Sequence, residues 1–155
     1  SRNAMSDQNI TVELQQERDY RFDIRFGEGI AVLKGDEPPP LGTGQGPSPV
    51  QLLCAAVGNC LSDSLLFALR KFKQAPEPIR TEVQAEVGRN AEGRQRVVRI
   101  DATLHLGVPA TGLEHLDRVL GQFEAFCTVT QSVGQGIPVH IRVLDSEGTV
   151  LKDAP

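Results

Sequence analysis

The sequence has no excess of basic residues. Sixteen Lys and Arg stand against twenty Asp and Glu, a net charge of −4, and no polybasic run is present. Non-specific binding to nucleic acid or to an anionic membrane is therefore not expected. No uninterrupted apolar run of membrane-spanning length occurs either. The longest candidate, residues 50–69, is broken by Gln51, Asn59, Ser62, Asp63 and Ser64, so it reads as a core helix. No secretory signal is expected. Cysteine is scarce and odd in number, three in all, which excludes a paired disulfide scaffold and suits the thiols of a cytoplasmic protein. There is no CxxC and no HxxxH, and His105, His115 and His140 fall on three different elements. No metal site or cofactor is expected, and each histidine reads as solvated. Without a GxSxG, no Ser-His-Asp site is proposed.

What is present suffices for a core: 39% of the residues are apolar and 23% charged. Residues 1–4 read as an expression remnant ahead of a native start at Met5, and a single domain is expected over 5–155. A short strand is expected at Thr11–Leu14. Tyr20, Phe22, Ile24 and Phe26 alternate with Arg21, Asp23 and Arg25, the period of a half-buried strand, with Ile30–Leu33 as its hairpin partner. In DEPPPLGTGQGPSP (36–49), eight of fourteen residues are Gly or Pro, so neither helix nor interior strand can form. A loop this long in a small domain is usually functional. Its GTGQG superficially looks like a phosphate cradle, but lacks the Lys-Ser/Thr ending and the strand-turn-helix context.

Ser48, Pro49 and Gln51 form a helix start with a capping box, and the helix should run to about Phe72, apolar on nearly all sides and therefore buried. Ile79–Val87 and Val98–Leu106 alternate strictly and read as a hairpin joined by Asn90–Arg94. Thr111 with Glu114 makes a second capping box, opening an amphipathic helix through about Ala125. A helical turn then follows Cys127, and Ile137–Val143 gives a last strand. The class is α+β.

Cys60 lies about twelve residues into the long helix, beyond the reach of the helix dipole. Burial among apolar neighbours would raise its thiol pKa, so by context alone it reads as a structural cysteine. Cys127, at a helix junction with free backbone N–H groups, looks better placed for ionisation. Cys54 precedes Cys60 by six residues, about 9 Å along a helix axis and past the roughly 7 Å limit for a disulfide, and reads as core.

DEPPPLGTGQGPSPVQLLCAAVGNCLSDSL (36–65), with FEAFCTVTQSV (123–133) far downstream, resembles the OsmC/Ohr family of thiol-dependent peroxidases. The resemblance covers about residues 20 to 145, including a Gly-Pro loop, a cysteine on the long helix and a second cysteine 67 residues later. It implies an OsmC-like fold, with a long central helix packed on an antiparallel sheet, in an intertwined homodimer whose sites draw on both chains. By the same resemblance Cys60 is the peroxidatic thiol, attacking a small-molecule organic hydroperoxide. Cys127 resolves the sulfenic acid as a disulfide, and an external dithiol reduces it. That reverses the ranking from helix context.

An arginine must then activate Cys60. Arg25 is the choice, with Arg21 behind it. The family usually carries a glutamate nine or ten residues before the first cysteine, where this chain has Val50 and Gln51, and Glu37 is the substitute carboxylate. Position 128 is Thr where many members have Pro. Leu53, Val57, Leu61, Phe126 and the Phe-rich strand are expected to wall an apolar pocket. The alternative is a non-enzymatic redox-sensing or small-molecule-binding dimer of the same fold.

Overall fold

The computed structural model describes residues 8–155; residues 1–4 and Met5 lie outside the described residues. The chain divides into two compact units, one through Leu52 and one from Leu53 onward.

In the first unit, β1 (Glu13–Arg18), β2 (Arg21–Arg25) and β3 (Leu33–Gly35) form an antiparallel sheet in that order. The alternation around β2 produces the expected strand, with Ile24 buried, but Tyr20 and Phe26 fall just outside it and remain exposed. The neighbouring strands lie further along the chain than their apolar residues suggested. β1 follows β2 from Glu13↔Arg25 to Arg18↔Arg21, and β3 pairs Lys34 with Asp23. Charge fixes that second register: the Lys34 ammonium donates to Asp23 at 2.5 Å and to Glu17 of β1 at 2.8 Å. Ile30 and Val32, expected in the partner strand, are left exposed in the connection.

Residues 36–47 form the loop that their Gly and Pro content demands. α1 (Pro49–Lys71) then opens on the expected capping box. The Gln51 amide donates to Ser48 Oγ at 3.2 Å, and the Ser48 amide donates to Gln51 Oε1 at 2.9 Å.

In the second unit, β4 (Arg80–Arg89), β5 (Gln95–His105), β6 (Val139–Leu144) and β7 (Val150–Ala154) form a sheet in sequence order. The β4–β5 hairpin is as expected, its turn held by the Asn90 side chain, which accepts from the Glu92 and Arg94 amides. The sheet is mixed rather than antiparallel, because β5 and β6 run parallel. A parallel pair needs a crossover, and residues 106–138 supply it.

α1 covers this sheet through Val57, Leu61, Leu65 and Leu69, four-residue spacing that sets all four on one stripe against Ile100, Ala102, Leu104 and Val143. The expectation of burial on nearly all sides is corrected here: Phe67, on another face, is 65% exposed. The crossover also departs from expectation. In place of one helix from Thr111 to Ala125, there is a turn at Ala110–Gly112, a five-residue α2 (Leu116–Leu120) and a 3-10 turn at Phe123–Phe126. The Thr111/Glu114 box does not form. Leu113 is extended, His115 adopts φ 63°, and the Glu114 amide donates to the Gln74 side chain instead. Last comes α3 (Thr128–Val133), opening at Cys127 as the sequence indicated.

Candidate active site

The fold brings together two cysteines that lie 67 residues apart in sequence. Cys60, midway along α1, is half-buried against the core that encloses Cys127, and its thiol lies near enough to the Cys127 thiol to bear on its ionisation. Cys127 itself is fully buried. Its sulfur caps α3, accepting from the Thr130 amide at 3.4 Å and donating to the Thr130 hydroxyl at 2.9 Å.

The expectation that the helix start would lower the Cys127 pKa is corrected. Burial pushes the thiol up, the adjacent Cys60 thiol pushes the same way, and the Thr130 bonds only partly offset them. Sequence reasoning missed Thr130, although a hydroxyl three residues after a helix cap is a legible signal. Cys54, read as core, is half-buried at the edge of a groove of about 380 Å³ beside Gly58, Asn59 and Ser62. The expected pocket walls do not assemble as a set. Val57 and Leu61 are wholly buried in the core, whereas Phe126 is 64% exposed.

Arg25 and Glu37 both belong to the first unit. Arg25, at the end of β2, is exposed and pairs with Asp23 at 3.6 Å. Glu37 opens the Gly-Pro loop, and its carbonyl accepts from the Gly44 amide. The organising group of this loop is one the sequence reading passed over, Asp36. Its carboxylate accepts from the Glu37 amide at 2.8 Å, the Thr43 hydroxyl at 2.8 Å and the Gln45 amide at 3.1 Å. Burial pushes this carboxyl up, but these donors outweigh it and hold the group below its ordinary range. Arg21 closes the arrangement, donating to Thr43 at 2.9 Å and lying 3.8 Å from Asp36. Thr43 and Gln45 of GTGQG thus hold an anion supplied by the chain itself. At Gly42 the loop is so tight that a Cβ would meet the Glu37 carbonyl oxygen at 2.2 Å.

His115 is exposed, as expected, whereas His105 and His140 are half-buried beside carboxylates. His140 lies between Asp101, at 3.1 Å, and Asp153; His105 is 3.3 Å from Glu82; His115 stacks on Phe72 with centroids 4.8 Å apart. Among the described residues, no three His, Cys, Asp or Glu side chains converge to hold a metal ion.

A long helix laid over a mixed sheet, with a crossover that sets a second thiol against the helix thiol, defines an α+β protein with a paired-thiol site. The model of the OsmC-like protein family matches residues 42–142, and the chain belongs to that family. No curated protein matches it. Among solved structures, an OsmC-like protein of unknown function from Vibrio cholerae has a TM-score of 0.72 at 16% identity, covering 86% of this chain and 99% of that one. An organic hydroperoxide resistance protein OsmC from Legionella pneumophila gives 0.67 at 15%, covering 90% and 98%. The organic hydroperoxide resistance protein OhrB of Bacillus subtilis gives 0.68 at 15%, covering 89% and 99%. At these identities the likeness is one of fold.

Proposed function

We propose that the protein is a thiol-dependent peroxidase for organic hydroperoxides, working through Cys60 and Cys127. The observation that carries this reading is the nearness of the two thiols, with Cys60 packed against the core that encloses Cys127. The Cys60 thiolate attacks one peroxide oxygen; the O–O bond breaks, the alcohol leaves with a proton, and Cys60 becomes a sulfenic acid. The Cys127 thiolate then attacks the Cys60 sulfur. An S–S bond forms, the S–O bond breaks and hydroxide departs as water. An external dithiol restores both thiols by exchange. Arg25 is the cation that favours the Cys60 thiolate, and Glu37 the carboxylate that orients it. In this reading the substrate is an alkyl or aryl hydroperoxide rather than hydrogen peroxide, each methylene that binding buries gaining about 0.8 kcal/mol.

The acting species in this reading is an intertwined homodimer of one OsmC-like domain, in the cytoplasm. Exposed apolar side chains support it: Ile10, Leu14, Ile30 and Leu41 in the first unit, and Phe67 and Phe126 in the second. A second reading, a non-enzymatic redox-sensing or small-molecule-binding dimer, draws on Gln51. It stands where a glutamate is expected, and its side chain is occupied in the helix cap. Stoichiometric cumene hydroperoxide followed by peptide mass spectrometry tests the first reading. A Cys60–Cys127 disulfide is expected; its absence, with Cys60 unmodified, would overturn the cycle. Repeated turnover with a dithiol present separates the enzyme from the sensor.

A further inference from the structure

The backbone of Cys127 is tied to the last strand through two side chains. Lys152 of β7 donates to both oxygens of the Glu124 carboxylate, at 2.7 and 2.8 Å, and to the Leu120 carbonyl. Its side chain is only 11% exposed, and the ammonium lies 5.3 Å from the centre of the Phe123 ring. Glu124, gripped by its carboxylate, offers its main-chain carbonyl to the Cys127 amide at 3.1 Å and to the Gln131 side-chain amide at 3.2 Å. One ammonium therefore fixes the end of α2 and the turn at Phe123–Phe126, and that turn fixes Cys127 and the start of α3. Neither support would hold its place alone. A four-residue 3-10 turn has poor hydrogen-bond geometry, and a five-residue helix is below the length that is stable by itself. A largely buried ion pair is also far more sensitive to loss of one partner than a surface pair.

We propose that Lys152 is a positioning residue for Cys127, acting through Glu124. It holds the turn ahead of the thiol so that the sulfur stays shielded and directed at Cys60. Its effect on turnover rests on the two-cysteine cycle proposed above; its effect on the shielding of Cys127 does not. In that cycle Lys152 serves the closure step, in which the Cys127 thiolate attacks the Cys60 sulfenic sulfur, the S–S bond forms, the S–O bond breaks and hydroxide leaves as water. It touches none of the reacting atoms.

The test is a short N-ethylmaleimide pulse on the fully reduced protein, with Cys127 and Cys54 labelling read on the same chain by peptide mass spectrometry. Lys152→Met is expected to raise the Cys127-to-Cys54 ratio about ten-fold, as loss of a charge-assisted pair implies, and Lys152→Arg to return it close to wild type. Ile100→Ala, a core variant on β5 and two strands away from Lys152 in the sheet, should loosen the protein without selectively exposing Cys127. An unchanged ratio in Lys152→Met, or an equal rise in Ile100→Ala, would overturn the proposal. Should Lys152→Met fail to fold, Glu124→Gln removes the same charge pairing at nearly constant size and carries the same expectation. After stoichiometric cumene hydroperoxide, disulfide closure should slow about ten-fold relative to sulfenic acid formation, again with rescue by Lys152→Arg. If the wild type forms no Cys60–Cys127 disulfide, the peroxidase cycle falls, and the labelling ratio alone decides the role of Lys152.

Discussion

On the Cys127 sulfur, burial and hydrogen bonding pull in opposite directions, and burial wins. The group is an acid whose pKa is raised, so its thiolate becomes abundant only above the ordinary thiol range. Disulfide closure should therefore accelerate as pH rises toward and through that range. Quenched-flow measurement of the Cys60–Cys127 disulfide against pH checks this, and a flat profile would remove Cys127 ionisation from the step. Thr130→Val deletes the hydroxyl that would donate to the thiolate. It should move the profile to higher pH and slow closure at neutral pH by about ten-fold, the scale of one hydrogen bond to a charged group. On the other thiol, Arg25→Met should lower the second-order rate with cumene hydroperoxide by about ten-fold or more, since about 1.4 kcal/mol is a factor of ten. An unchanged stopped-flow rate would take Arg25 out of the account. In the sequence, only family spacing singles out Cys60 and Cys127 as a pair. Asp36 and Lys152 were not legible, because their importance lies in donors and acceptors that only the folded chain gathers.

At the scale of elements, the start of α1 was legible down to its hydrogen bonds, since Ser48 and Gln51 satisfy each other's amides within three residues. Ser48→Ala should cost about 1 kcal/mol, read as a shift in the denaturant midpoint. Within the same helix, Gly58 makes two effects compete. Gly→Ala in a helix gains about 1 kcal/mol of propensity, but a Cβ here would meet Val83 Cγ2 at 2.7 Å. Valine is stiff, and overpacking costs about 1–3 kcal/mol, so Gly58→Ala should destabilise. A raised midpoint would show that α1 can lift off β4. The second capping box misled for a reason of the same kind. Thr111 and Glu114 have the right spacing, but Gly112 within the box and Gly121 beyond it weaken the helix, and Gln74 outcompetes the box for the Glu114 amide. The parallel β5–β6 pairing was invisible as well, since alternation reports which face is buried and not strand direction.

For the whole molecule, the apolar side chains left exposed in each unit lead to an expected dimer mass by light scattering at micromolar concentration. A monomeric mass would contradict the intertwined assembly. Phe67→Asp should push the population toward monomer or aggregate, because a charge would have to be buried where an apolar face is covered. The crossover between β5 and β6 has a further consequence, in the timing of assembly. Cys127 travels on that crossover, so its thiol cannot meet Cys60 until β6 has docked beside β5 beneath α1. Bringing together Cys60 and Cys127, 67 residues apart, costs on the order of 4 kcal/mol of chain entropy. Only the packed core repays that. In the proposed cycle, a peroxide meeting Cys60 during synthesis or refolding, before the crossover closes, would find no resolving thiol, and the sulfenic acid would stay open to further, irreversible oxidation. On that cycle, protection against such damage would be acquired together with the finished fold, and a half-made chain would be the form most vulnerable to oxidants.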